Sequence, residues 1–325
     1  MKKPAGKMNA LFLIMLIGYV AASVLLSMLM QRSMGIGLLT TLVIGELVVA
    51  VPGIIFLLLF HCNFAEWVPI RPVKGATIGF TLLLTFLIQP LLYFLNVVSQ
   101  LFESNVAADL LTKVDDIPGI VLILVIGVLG PVCEEVVFRG ILFTGYKRSG
   151  RIFGAILWTA FLFGLFHMNL NQFGYAMMIG IISAFLVEGT GSLIPSLILH
   201  ILINSYNVLQ MIALKFISGF MGDDLSELME SADTMMTPKT LVMFAGALLI
   251  PATACTVLAV VVYIAIIKRE ETKDHIMRIL PFSKKDDGVE EERKTAIITP
   301  TGVIGVALCL FMIFGFEKVL QMIGL

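Results

Sequence analysis

The strongest constraint on this chain is a series of uncharged apolar runs of about 20 residues that recur along the sequence. A helix of that length crosses the roughly 30 Å hydrocarbon core of a bilayer. Of the 325 residues, 58% are hydrophobic and 14% are charged, whereas soluble domains contain about 25% charged residues. The sequence therefore predicts an all-α fold, a polytopic bundle of transmembrane helices in a cell membrane.

Charge and cysteine usage exclude two classes of function. The formal net charge of −1 lacks the basic face that nucleic-acid binding needs. The four cysteines are scattered through apolar segments without paired spacing, so they indicate neither a disulfide framework nor a thiolate metal site.

Nine spans are predicted, and eight is the alternative. The apolar core of the N-terminal run exceeds a signal-peptide h-region, so we interpret it as a retained first span. The sixth span is short, and the ninth is interrupted by "TPTG". The predicted spans cover about 8–30, 35–60, 76–99, 118–146, 151–170, 172–189, 192–214, 240–267 and 296–316.

The distribution of basic residues predicts a cytoplasmic N-terminus. With that orientation, sixteen of the 22 lysines and arginines fall in cytoplasmic segments and five fall outside. Because cytoplasmic loops of membrane proteins carry the excess of Lys and Arg, this orientation is favoured.

The stretch "GPVCEEVVFRG", which starts at Gly130, places charges inside an otherwise apolar span. Pro131 predicts a break or kink, and a helix that restarts there would hold Glu134 near its positively polarised first turn. Glu135 and Arg139 are four residues apart, which favours an ion pair on one helix face. Glu134 points about 100° away. We therefore interpret Glu135 and Arg139 as structural support and Glu134 as the carboxylate available for chemistry.

Two later spans carry further polar side chains. His167 follows Phe163 by one turn in the fifth span, and His200 and Asn204 are one turn apart in the seventh. At 1.5 Å per residue, these groups and Glu134 all lie at middling depth in the bilayer. Because an intramembrane ionisable group is costly unless it is paired or hydrated, such a cluster predicts a functional site.

The residue types suit hydrolysis of a peptide bond. Glu134 together with His167 would activate a water, and the N–H groups of His200 and Asn204 would stabilise the oxyanion. Zinc bound by Glu134, His167 and His200 is the alternative, since a glutamate and two histidines make a common catalytic ligand set.

Three motifs in this order resemble a known family. "EEVVFR" (134–139) is similar to EExxxR, "FGLFH" (163–167) to FxxxH, and "HILIN" (200–204) to HxxxN. Together they resemble the CPBP or Abi family, which contains the type II CAAX prenyl endopeptidases and bacterial proteins of bacteriocin processing and self-immunity. The resemblance covers about residues 118–210.

The resemblance implies a multi-helix intramembrane endopeptidase. The first motif glutamate, Glu134, and His167 would activate water, His200 and Asn204 would form the oxyanion hole, and Phe163 would support the site. The family is often labelled metallopeptidase, although a glutamate base needs no metal. The substrate would be a membrane-associated peptide or a lipidated protein.

The chain then divides into three parts around that core. Residues 1–117 are N-terminal transmembrane helices, 118–210 are the catalytic core, and 211–325 are C-terminal helices with a charged cytoplasmic loop at 268–295. The compact chain suggests a bacterial plasma-membrane protein.

Two other functions remain open from sequence alone. Intramembrane Glu and His residues also suit an ion- or proton-coupled transporter, and the same motifs could serve a non-catalytic immunity or scaffold protein. Glu46, the lone charge of the second span, is interpreted as structural, with a cavity-lining role as the alternative.

Overall fold

The computed structural model describes residues 4–32, 37–105, 114, 117–221, 234–282 and 295–315. In these ranges the chain is all-helical, which confirms the predicted fold class. The helices are α1 (Pro4–Gln31), α2 (Leu38–Leu59), α3 (Phe64–Trp67), α4 (Gly75–Ser99), α5 (Gly119–Lys147), α6 (Ile152–Phe166), α7 (Leu170–Thr190), α8 (Ile194–Met221), α9 (Pro238–Arg269), α10 (Lys273–Ile279) and α11 (Pro300–Phe314).

Each of the nine predicted spans corresponds to one of these helices. Seven helices of the described ranges are long and apolar enough to cross a membrane. The apolar helices α6 and α11 have 15 residues each, which is shorter than the roughly 20 residues that a full crossing needs. Seven to nine crossings are therefore compatible with the described helices. The first part of the charged loop at 268–295 forms the end of α9 and α10, and residues 283–294 lie outside the described residues.

Helix α5 runs through the middle of the bundle. In its second half, Val137, Phe138, Ile141 and Leu142 are all completely buried. A helix that is apolar on every side is surrounded either by other helices or by lipid, and its contacts show which of the two applies. The helices that contact α5 include α1, α2, α6 and α8, and the motif residues on α5 thereby face protein rather than lipid.

The predicted break at Pro131 is wrong, because α5 continues through it. The helix widens into π-helical segments at Ile123–Leu129 and Val136–Leu142, on both sides of a short α-helical segment that contains the proline. The N–H of Gly130 donates to the carbonyl of Val125, five residues earlier. The changed hydrogen-bond register accommodates a residue without a donor, so the helix does not restart and the dipole argument for Glu134 does not hold.

Ion pairs and a hydrogen bond connect the C-terminal ends of α5 and α7 to each other and to the segment around α10. The Lys147 ammonium lies 3.0 Å from one carboxylate oxygen of Glu188, and Nε2 of His275 lies 2.7 Å from the other. The hydroxyl of Thr272 donates to the carbonyl of Gly189 at 2.5 Å. These contacts fix α7 against α5 and α10 at the end that is predicted to be cytoplasmic.

A buried asparagine connects four separate segments. Nδ2 of Asn9 donates to the carbonyl of Ile297 at 2.8 Å and to the Thr299 hydroxyl at 2.9 Å. Its Oδ1 accepts from the Tyr146 hydroxyl at 2.6 Å and from the Trp158 indole at 3.2 Å. One side chain thus satisfies buried polar groups from α5, α6 and the segment before α11.

We expect Asn9→Leu to lower the midpoint of thermal unfolding in detergent. The substitution keeps the number of side-chain heavy atoms but leaves the Tyr146 hydroxyl and the Trp158 indole without their acceptor, at about 1–3 kcal/mol per unsatisfied group. Asn207→Leu, at an exposed position of α8, is the control and should leave the midpoint unchanged. Equal midpoints for the two variants would contradict this assignment.

Candidate active site

The predicted ion pair of the first motif is present and completely enclosed. NH1 of Arg139 lies 3.1 Å from Oε1 of Glu135, and the two side chains are 2% and 0% exposed. The guanidinium also lies over the Phe163 ring, 4.0 Å from its centroid. A buried charge is stable only with such compensation. Glu135 and Arg139 therefore depend on each other, and Phe163 of α6 supports the pair.

Helix α8 adds two more contacts to Glu135. Nδ1 of His200 lies 2.9 Å from Oε1, and the hydroxyl of Ser196 donates to Oε2. Ser196 and His200 are four residues apart, so they present both groups from the same face of α8. Glu135 thus has partners on both oxygens and joins α5 to α8.

His200 lies between the two adjacent glutamates. Its Nδ1 faces Glu135, and its Nε2 lies 3.4 Å from Oε2 of Glu134. Since an imidazole donates from both nitrogens only as the imidazolium, the neutral ring makes just one of these contacts as a donor. Neither nitrogen is left free to face an oxyanion in this arrangement, which differs from the geometry that the sequence predicts for His200.

Asn204 contacts the backbone of α5 instead of the other motif side chains. Its Nδ2 donates to the carbonyl of Ile126 at 3.3 Å, and the hydroxyl of the next residue, Ser205, lies 3.4 Å from the carbonyl of Gly127. The N–H of residue 131 would bond to the carbonyl of Gly127 in an α-helix and to that of Ile126 in a π-helix. Residue 131 is a proline and has no N–H to donate. Asn204 and Ser205 thus compensate for the donor that Pro131 lacks.

His167 ends α6 in a defined orientation. Its Nδ1–H donates to the carbonyl of Phe163 at 2.9 Å, which leaves Nε2 with the lone pair in the neutral ring. Met168 follows with a φ of 50°, and α7 begins two residues later. Glu103 accepts from Asn169 Nδ2 at 2.8 Å and from the Leu170 N–H at 2.5 Å, so it holds the turn that carries His167.

Glu134 and His167 line one cavity of about 270 Å³. A water needs about 10–15 Å³ on this scale, so there is room for several. The cavity lies between α1, α2, α5 and the start of α7. Its polar lining groups are Tyr19, Ser23, Thr41, Glu46, Glu134, His167 and Gln172.

The structure therefore brings the predicted residues into two connected groups. Glu134 and His167 share the cavity, whereas His200 contacts Glu134 from the protein interior. The sequence interpretation did not assign Tyr19, Gln172 and Glu46 to the site. For Glu46, a lone carboxylate within an apolar span was the available signal.

The side chains do not fit the predicted zinc set. Both nitrogens of His200 face carboxylates, whereas His167 keeps a lone pair on Nε2 and is by itself suited to be a ligand. Among the described residues, no group of three His, Cys, Asp or Glu side chains is placed to hold a metal. The zinc interpretation stays a prediction, and no step below depends on it.

Comparisons with known proteins agree with the motifs. Residues 116–206 match the family model described as "Type II CAAX prenyl endopeptidase Rce1-like". A Bacillus subtilis (strain 168) protein named "Putative membrane peptidase YdiL" is 27% identical over 107 residues, which are 33% of this chain and 43% of that protein. The chain thus matches less than half the length of this relative. No solved structure matches the chain significantly.

These matches confirm the predicted resemblance over the segment that contains all three motifs. Together with the apolar helices they support a multi-pass membrane protein, and a bacterial origin fits the Bacillus relative.

We expect the isosteric variants Glu134→Gln and Glu135→Gln to differ strongly in stability. Loss of the Glu135 charge leaves the Arg139 guanidinium buried without its counter-ion, which costs about 3–5 kcal/mol. Glu134 has one contact of 3.4 Å to His200 and faces a cavity, so its neutralisation is tolerated. Thermal unfolding and size-exclusion profiles in detergent measure the difference. Equal stability of the two variants would contradict the division of roles between the glutamates.

Proposed function

We propose that this chain is an intramembrane endopeptidase that hydrolyses a peptide bond in a membrane-associated or lipidated peptide. The observation that carries the proposal is the cavity that Glu134 and His167 share, with room for water among apolar helices. The resemblance of residues 116–206 to the CAAX prenyl endopeptidases supports it.

The reaction begins with a water between these two side chains. The Glu134 carboxylate takes a proton from the water as its oxygen bonds to the peptide carbonyl carbon, and Nε2 of His167 accepts the other hydrogen in a hydrogen bond. The carbonyl becomes a tetrahedral oxyanion. The carbon–nitrogen bond then breaks, and a proton must reach the departing nitrogen.

The contacts behind Glu134 orient it for this task. His200 approaches Glu134 from the protein interior, and His200 is held in turn by Glu135. The chain of groups ends at Arg139, whose charge balances Glu135. Because these groups are fixed by packing before substrate arrives, the base does not have to be reorganised during the reaction.

The oxyanion role of His200 and Asn204 remains part of the proposal. Both side chains have other partners, at 3.4 Å for the contact from His200 to Glu134 and 3.3 Å for the contact from Asn204 to Ile126. Such long contacts are weak, and catalytic hydrogen bonds often become shorter only in the complex with substrate. A substrate carbonyl would take the Asn204 amide from Ile126 and would share the Nε2–H of His200 with Glu134, so that the contact that orients Glu134 is kept.

The transporter and immunity interpretations are less well supported. The family model and the Bacillus relative are both described as peptidases. A Glu134 substitution that preserves the fold separates the immunity interpretation from the other two, because only they need the ionisable group. Flux across proteoliposomes, which only the transporter interpretation predicts, separates the transporter from the peptidase.

We expect Glu134→Gln to abolish cleavage, with kcat lower by at least about 1,000-fold, because glutamine cannot take a proton from water. The purified protein is reconstituted in vesicles with two synthetic peptides of one sequence, one prenylated at a C-terminal cysteine and one unmodified. Mass spectrometry of the products gives the rate and the cleaved bond.

Glu271→Gln is the matched control, because Glu271 is an exposed carboxylate far along the chain from the motifs. It should cleave like the wild type. Cleavage at the wild-type rate by Glu134→Gln would defeat the proposal, and cleavage of only the prenylated peptide would assign the substrate class.

We expect activity to survive treatment with a zinc chelator such as 1,10-phenanthroline. Among the described residues no group of three side chains is placed to hold a metal, and the base in the proposed reaction is a carboxylate. Cleavage is measured before and after chelation and after addition of zinc. Loss of activity that zinc restores would favour the metal mechanism instead.

A further inference from the structure

Glu46 of α2 shares the cavity with Glu134 and His167, although the reaction above gives it no role. Its Oε2 is buried, and among the described residues it has no hydrogen-bond partner. A buried carboxylate oxygen without a partner is costly, so it calls for an explanation such as a proton, a water or a substrate group. The cavity offers room for all three.

The position of Glu46 relative to Glu134 is set by a glycine. A Cβ atom added at Gly130 would lie 3.0 Å from Oε1 of Glu46, so the carboxylate packs directly against the backbone there. Gly130 and Glu134 are four residues apart on α5 and therefore lie on the same face, about one turn apart. The two carboxylates thus approach the cavity from α2 and α5 as neighbours.

Two carboxylates in one small buried cavity do not both ionise readily, since like charges repel there and burial disfavours each charge. The partners of the two side chains decide which one keeps the proton. Glu134 contacts His200 and lies two contacts from the Arg139 guanidinium. In the described part of the chain, no ion pair reaches Glu46. The proposed reaction needs Glu134 in its ionised form, so the proton shared by the two groups is assigned to Glu46.

We propose that Glu46 is a second catalytic carboxyl group, which holds a proton at neutral pH and donates it to the departing peptide nitrogen. This inference rests on the proposed function and supplies the proton that the reaction still lacks. Pairs of carboxyl groups in different environments commonly divide the tasks of acid and base in this way.

The proton balance closes within the cavity. Glu134 gains a proton from the attacking water when the carbon–oxygen bond forms, and Glu46 loses its proton to the nitrogen when the carbon–nitrogen bond breaks. After the products leave, the proton on Glu134 returns to Glu46, directly or through a cavity water. No metal, cofactor or external acid is consumed.

The kinetic test compares Glu46→Gln and Glu46→Asp with the wild type in the vesicle assay. Glutamine keeps the size and the polarity of Glu46 but cannot donate a proton in this way, so we expect kcat to fall about 100-fold or more with little change in KM. Aspartate keeps the acid one methylene further from the cavity, and we expect it to recover part of kcat. Glu271→Gln again serves as the control.

A merely structural Glu46 predicts the opposite pattern, in which glutamine restores activity better than aspartate does. A kcat of Glu46→Gln close to that of the wild type would overturn the inference while leaving the role of Glu134 intact.

A second measurement does not depend on activity. Infrared spectra of the purified protein at neutral pH separate the carbonyl band of protonated carboxyl groups from the bands of ionised carboxylates. We expect Glu46→Gln to remove intensity from the protonated band and Glu271→Gln to leave it unchanged. An unchanged band in Glu46→Gln would overturn the inference even if kcat falls.

The two measurements also separate this inference from the proposed function. A wild-type protein that cleaves neither peptide contradicts the peptidase, and the infrared band still decides whether Glu46 holds a proton. If Glu46→Gln is not obtained as a folded protein, Glu46→Asp gives both readouts: a shifted protonated band with reduced kcat agrees with the inference, and a wild-type kcat opposes it.

Discussion

The ion pair between Glu135 and Arg139 is the constraint on which the motif region depends. Neither group reaches water, so each must be compensated by protein. Glu135 accepts from Ser196 and lies against His200 of α8, and Arg139 lies on the Phe163 ring of α6. Three helices that are separate in sequence are thereby held together by one pair of charges. The position of His200 beside Glu134 follows from it, since the ring that approaches Glu134 is the ring that Glu135 holds.

The backbone N–H that Pro131 lacks also connects α5 to α8, because side chains of α8 bond to the carbonyls that are left without a partner. Pro131 leaves a carbonyl of α5 without its usual partner, and the side chains of Asn204 and Ser205 approach the two carbonyls concerned. The π-helical widening on both sides keeps α5 continuous. Asn204, which the motif pattern suggests as an oxyanion donor, thus has a structural contact as well, and under the proposed function its substitution would affect both catalysis and helix packing.

Much of the fold and part of the site could be predicted from local rules. Apolar length located the nine helices that match the predicted spans, but not the short helices α3 and α10. Spacing of four residues identified the pair of Glu135 and Arg139. Both signals lie within one helix. The continuation of α5 through Pro131 could not be predicted, since it depends on donors from α8. The cavity and the contacts of His200 also escaped prediction, because they arise where helices that are distant in sequence meet.

The three glutamates of the motif region differ in their hydrogen-bond partners and in their access to the cavity. Glu135 has partners on both oxygens and is closed to solvent, so it can balance charge but cannot exchange protons with a substrate. Glu134, its neighbour in sequence, points away by about 100° and retains one long contact and an open side toward the cavity. Glu46 enters the same cavity from α2 with one oxygen buried and, in the described ranges, unpartnered. The three groups therefore differ in their fixed partners, from Glu135 with both oxygens bonded, through Glu134 with one long contact, to Glu46 with an unpartnered oxygen in the described ranges, and the proposed division of roles among them follows that order.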